Sequence, residues 1–199
     1  MSKKKTKLQT KELIYAGGFA AIYIIALFII VMTFGMVPIL YLLAPLFVGI
    51  LCATIYVMYV SKVKKFGAIL ILAVLFGLIM SASGHGIVIA LTIPIGLAAE
   101  FIARVKNYTS KKMIVLSYAV FNITMVAPFM TLYTATDTFI EESRMYYGEV
   151  YANTIADVMN NLGSLLLVSQ VAAAIVGALI GGFLAIKLFK KHFEKSGLV

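Results

Sequence analysis

Residues 13–34 read LIYAGGFAAIYIIALFIIVMTF, 22 positions without a charge. As a helix rising 1.5 Å per residue, such a run spans the roughly 30 Å hydrocarbon core of a bilayer. Working outward, apolar runs recur at 37–60, 66–82, 87–104, 113–133 and 162–188, separated by charged or loop-forming segments. None alternates strictly, and most are about twice the length of a transmembrane strand. The pattern predicts an all-α integral membrane protein, a six-transmembrane-helix bundle occupying residues 1–199 as a single membrane domain. Composition agrees, with 62% of residues hydrophobic and 13% charged, whereas soluble chains are about 45–50% apolar. The first run is too long for a signal-peptide core and no small-residue cleavage site follows it, so the first helix is expected to remain in the mature protein.

Charge sets the expected orientation. With six spans, 16 of the 17 Lys and Arg residues fall on one side, in 3–11, Lys62–Lys65, 104–112 and 187–195; Arg144 is the exception. Such clusters stay in the cytoplasm during insertion, which predicts a multi-pass cell-membrane protein with N and C termini both cytoplasmic. The opposite side holds Asp137, Glu141, Glu142, Glu149 and Asp157 against Arg144 alone. The net charge of +9 is thus a topology signal and gives no reason to expect nucleic-acid binding. Cys52 is the only cysteine, which excludes an internal disulfide and reads most simply as a small buried apolar side chain.

The outer connections differ in length. Gly35–Pro38 and Ser83–Gly86 are short, whereas 134–160 is too long for an ordinary turn. In that segment Ile140, Tyr147, Tyr151, Ile155 and Val158 recur at helix-compatible spacing opposite Glu141, Glu142, Glu149 and Asp157. This predicts an amphipathic cover, either floating at the headgroup level or closing over a pocket as a lid. On the same side, His85 sits between glycines that permit close approach of a small polar solute.

Asn122 and Gln170 lie within the fifth and sixth runs, where a polar side chain needs a partner. Two readings stand: hydrogen bonds between helices, or the floor of an outward-opening pocket with Tyr133, Thr131, Asn160 and Asn161 nearer the rim. Candidate solute contacts are therefore His85, Asn122, Tyr133, Asn160, Asn161 and Gln170. Small residues recur at every fourth position in the sixth run, at Ala173, Gly177, Gly181 and Ala185, as close helix packing requires. Near the basic end of the first helix, Ala16 with Ala20 and Gly17 with Ala21 form overlapping small pairs that could receive a partner helix.

LIYAGGFAAIY in the first helix, KVKKFG before the third, SGHG between the third and fourth, YAVFN in the fifth and the terminal KKHFEKSG occur in an order and spacing that resembles the MptD or Trep_Strep family. That group is identified as substrate-binding S components of energy-coupling factor (ECF) transporters. The resemblance implies capture of a vitamin, metal ion or other micronutrient from outside. Delivery inward would then depend on a membrane-embedded T component and two cytoplasmic ATPases. It also implies docking of the T component on an AxxxA pattern, here Ala16 and Ala20, overlapped by Gly17 and Ala21. The chain has no GxxxxGK[ST] loop, so ATP would be hydrolysed by the partners and no cofactor of its own is expected.

Two other classes compete. An intramembrane enzyme would need more than EExR at Glu141, Glu142 and Arg144, which only partly resembles the EExxxR of membrane CAAX-type proteases. HExxH, GxSxG and paired intramembrane acids are missing from the sequence, so no catalytic residue is expected. A structural or regulatory membrane subunit would fit the same spans but would lack an outer pocket. No Cys, His or acid sits at ligand spacing from His85, which argues against a high-affinity cobalt or nickel site. The acidic outer side mildly favours a neutral or cationic solute.

Overall fold

The structure, a computed structural model, describes residues 8–82 and 86–188. His85 and its neighbours Ser83 and Gly84, named above as an outer turn, lie outside the described residues, as do 1–7 and 189–199. Every regular element among the described residues is helical. Thr10–Gly35 (α1) is followed by three short helices, Pro38–Leu42 (α2), Ala44–Leu51 (α3) and Ala53–Val63 (α4). Ala68–Ala82 (α5) and Ile87–Arg104 (α6) come next. Lys111–Phe121 (α7), a 3₁₀ stretch Asn122–Phe129 and Met130–Thr134 (α8) form one further rod. Thr136–Tyr147 (α9) and Glu149–Leu162 (α10) precede the last long helix, Ser164–Leu188 (α11).

Four of these are long and apolar enough to cross a membrane: α1, α6, the α7-to-α8 rod and α11. The pair α3 and α4, bent by 49° at Cys52, makes a fifth if taken as one span. The apolar α5 is shorter, at 15 residues.

Successive rods run antiparallel, which gathers the basic turns at one end. There Glu12 approaches Lys65 at 3.7 Å, the Lys62 ammonium lies 5.7 Å from the Tyr15 ring centre, and the Arg104 guanidinium lies 5.0 Å from that of Phe66. Lys64 and Gly67 adopt positive φ (45° and 95°), reversing the chain between α4 and α5 within four residues. The buried Glu100 carboxylate ties this end together by accepting from the Leu70 N–H at 3.1 Å and the Tyr108 hydroxyl at 2.7 Å. It thereby satisfies a free amide in the first turn of α5.

The core forms where small residues let helices meet. Gly177 and Gly181 of α11 lie against α3: a Cβ on Gly181 would stand 2.7 Å from the Ile50 Cα, and one on Gly177 2.9 Å from the Leu46 Cα. The regular small-residue stripe therefore packs inside the bundle, with Gly177, Gly181 and Ala185 all buried. Tyr23, Tyr56, Tyr118 and Phe121 fill the centre. Tyr56 and Ser117 share a hydrogen bond of 2.8 Å, and Ser117 donates to the Ala99 carbonyl at 2.7 Å.

Three expectations are corrected here. The run at 37–60 is three helices instead of one, broken at Leu43 just before Pro45 and again at Cys52. Pro45 has no N–H to give and its ring obstructs the preceding turn. The fifth run tightens to 3₁₀ from Asn122 to Phe129, over the stretch containing Pro128. The 134–160 cover is two helices hinged at Gly148 (φ 87°), so its inward face changes register. Phe139 and Ser143 point inward from α9, while Tyr147 is exposed and Ile140 only half-buried. Tyr151, Ala152 and Ile155 point inward from α10.

Candidate functional site

The end of the bundle opposite the basic turns is built around the break in the second rod. Breaking a helix at Leu43 frees carbonyls that nothing in lipid can satisfy. The Gln170 side-chain amide, reaching over from α11, donates to the Leu42 carbonyl at 3.1 Å, and its own carbonyl accepts from the Tyr133 hydroxyl at 2.7 Å. The Asn122 amide donates to the Pro45 carbonyl and to the Ala174 carbonyl, both at 2.9 Å. Asn122 and Gln170 are almost wholly buried. The structure thus brings Asn122, Tyr133 and Gln170 into one polar latch joining α11, the broken rod and the 3₁₀ stretch.

None of those three is in the lining of the two cavities described next. The Gln170 and Asn122 amides bond across helices, to Leu42 and to Pro45 and Ala174. Asn160 and Asn161 are exposed on α10, and the Asn161 amide is bound to the Asp157 carbonyl at 2.8 Å. Neither is in the lining of those cavities.

The first cavity, of about 200 Å³, lies beside the break and is almost entirely apolar. Ala44, Pro45 and Val48 form one wall, with Leu27 and Val31 of α1, Phe76 and Met80 of α5, and Met125 and Phe129 facing them. The second, of about 220 Å³, lies under the α9–α10 hairpin and is lined by Tyr41, Phe139, Glu142, Ser143, Tyr146, Tyr147 and Tyr151. Tyr41 borders both, its ring held 4.9 Å from Phe129 and 6.4 Å from Phe139 between centres. The hairpin is anchored by the Tyr151 hydroxyl, which donates to the Gly35 carbonyl at the end of α1 at 2.8 Å. Burial pushes this phenol above its ordinary pKa. Arg144 joins the two hairpin helices by pairing with Glu141 and donating to Asn153 at 3.3 Å.

A family model described as a hypothetical bacterial integral membrane protein, Trep_Strep, matches residues 10–195. The chain belongs to the Trep_Strep family. No curated protein and no solved structure matches it. Family and apolar helices together make this Trep_Strep protein a multi-pass integral membrane protein.

Sequence reasoning passed over Tyr41, Phe129, Phe139 and Tyr146 as cavity residues of this Trep_Strep chain. The available signals were Pro45 and Pro128, each inside an apolar run, since proline in a membrane helix marks a break that often lines a cavity. The small pairs on α1 separate cleanly. Ala16 and Ala20 are fully buried within the chain, whereas Gly17 and Ala21 face outward. A Cβ on Gly17 would have no neighbour within 4 Å.

Proposed function

We propose that this protein is the solute-capture subunit of an ECF-type importer. On this reading it takes a small molecule from outside and delivers it inward through a T component and two ATPases. The observation that carries the reading is the pair of cavities at the acidic end, one of them beneath a two-helix cover anchored to α1 through Tyr151. A protein with a merely structural role has no need of a pocket there, whereas a capture subunit requires one.

The membrane topology we adopt has six crossings, counting the bent α2-to-α4 rod as one and the 15-residue α5 as another. At about 22 Å, α5 is shorter than the hydrocarbon core, but its first turn lies at the basic end beside Glu100 and Tyr108. Both termini are then cytoplasmic by the positive-inside rule, and the cavities face outward. Gly17 and Ala21 form the surface on which a T-component helix would seat, replacing the inward-facing Ala16 and Ala20. The chain has no catalytic role of its own in this scheme.

The test is affinity purification of the tagged protein from its native membrane in mild detergent, with mass spectrometry of co-purified proteins and retained small molecules. A T component with two ATPases is the expected result. Repeated recovery of the protein alone, across several detergents, would instead support a stand-alone membrane subunit.

A further inference from the structure

We infer that the cavity under the α9–α10 hairpin binds a small organic cation carrying an ammonium group. The inference deepens the importer reading and rests on it for why a solute is captured at all; the pocket chemistry below is independent of any partner.

Two hydroxyls of the lining are already committed as donors. The Tyr151 hydroxyl donates a hydrogen bond to the Gly35 carbonyl at 2.8 Å, and the Ser143 hydroxyl one to the Phe139 carbonyl at 2.8 Å. What both can still offer a ligand is oxygen lone pairs. Glu142 adds a carboxylate, and no Lys or Arg is part of the lining. Such oxygens and the carboxylate make this part of the wall electronegative, which suits a cationic head group that needs no donor from it.

The charge arrangement points the same way. Of the two adjacent acids, Glu141 is neutralised by Arg144, whose other contact, to Asn153, also lies outside the cavity. Glu142 has no cationic partner among the described residues and stands on the cavity wall. The local charge is therefore uncompensated where a solute would sit. The surrounding acids Asp137, Glu149 and Asp157 add a field of the same sign.

Aromatic rings complete the site. Tyr147 and Tyr151 stack at 4.5 Å between centres, and Tyr41 and Phe139 at 6.4 Å. Ring faces attract cations through their quadrupole, most strongly where water is partly excluded. Phe139 and Tyr151 are buried and Tyr147 is open, which makes a cage with a fixed base and an accessible rim. A volume of about 220 Å³ suits a small solute; drug-sized ligands occupy roughly 300–1,000 Å³.

The test uses the purified full-length protein, whose 11 tyrosines and absence of tryptophan make tyrosine fluorescence a direct readout. Choline, tetramethylammonium and putrescine are titrated beside 3,3-dimethylbutan-1-ol, which has the shape of choline without the charge. Expected are saturable binding of at least one cation and about tenfold or greater weakening for the neutral isostere. Glu142→Gln and Tyr147→Leu should each weaken that cation about five- to tenfold. Asp157→Asn removes the same charge outside the cavity and should stay within about twofold, since exposed charges are screened over roughly 8 Å. Equal binding of choline and its isostere, equal effects of Glu142→Gln and Asp157→Asn, or no binding of any cation by folded protein would each overturn the inference. Cation binding without recovery of ATPases would leave the site standing and remove the importer reading. Recovery of ATPases without cation binding would do the reverse.

Discussion

Replacing Gly49 with alanine tests whether the close approach of α3 to α11 holds the broken rod in place. An added Cβ would stand 2.6 Å from both the Ala178 backbone nitrogen and the Asn122 Nδ2, and 2.8 Å from the Gly177 carbonyl carbon. Two of these are backbone atoms of a packed helix and cannot rotate away, so α3 must shift. Overpacking of this kind costs about 1–3 kcal/mol. The shift also stretches the Asn122 bonds to Pro45 and Ala174, at an average of about 0.6 kcal/mol for each interhelical bond in a membrane. Alanine's helix preference returns up to about 1 kcal/mol, leaving a net loss of about 1–3 kcal/mol. For a chain of this size that lowers the melting temperature by about 3–10 °C. Cys52 supplies the assay, being the only cysteine and fully buried, so a thiol-reactive dye reports its exposure on unfolding. Gly18→Ala is the control, because nothing lies within 4 Å of its added Cβ. A Gly49→Ala protein that melts within about one degree of its parent, or a Gly18→Ala protein that falls as far, would refute the packing argument.

Further outcomes can be checked with the same purified protein or in cells. Gln170→Leu removes the bonds to Leu42 and Tyr133 and should cost about 1–3 kcal/mol in the dye melt, with Tyr133→Phe costing about half as much; a melt at or above the parental one counts against the latch. Gly17→Leu combined with Ala21→Leu should leave the melt unchanged but abolish recovery of the ATPases, whereas Ala16→Leu should lower the melt because Ala16 is fully buried. In a Cys52→Ala background, Tyr146→Cys should react with an impermeant maleimide on intact cells and Lys106→Cys only after permeabilisation; the reverse pattern would invert the topology.

Much of the helical layout could be read from the sequence because long uncharged runs are a direct consequence of burial in lipid. The runs from Leu13, Ile87 and Leu162 fall within helices α1, α6, and α10 to α11 of the structure. The breaks were less legible. Hydrophobicity averages over Pro45 and Pro128, and a run that satisfies the bilayer looks the same whether straight or bent. The cavity walls were hard to read for a related reason. Asn122 and Gln170 draw the eye as polar residues in apolar helices, but their amides are engaged by carbonyls near the break, and the cavity walls are ordinary aromatic and aliphatic side chains. The face of the 134–160 cover was half legible, since Tyr151 and Ile155 do point inward. Gly148 was the visible warning that one helical period would not run through both halves.

The latch and the cavities therefore divide the work between them, and this division is open to experiment. A break in a membrane helix makes room beside it but leaves carbonyls needing donors, so Gln170 is a consequence of the break at Leu43, and the cavity beside Pro45 is what that break opens. The hairpin cavity is held differently, through Tyr151 to Gly35 and through Tyr41, which faces both spaces. Damage to the latch should spread: Gln170→Leu lets α2 drift, moves Tyr41, and weakens folding and cation binding together. Damage to the rim should not spread, because Glu142 is exposed and bonded to nothing among the described residues. Glu142→Gln should then weaken binding with the melt unchanged, and a fall in both would mean that the acid supports the fold instead of receiving the solute.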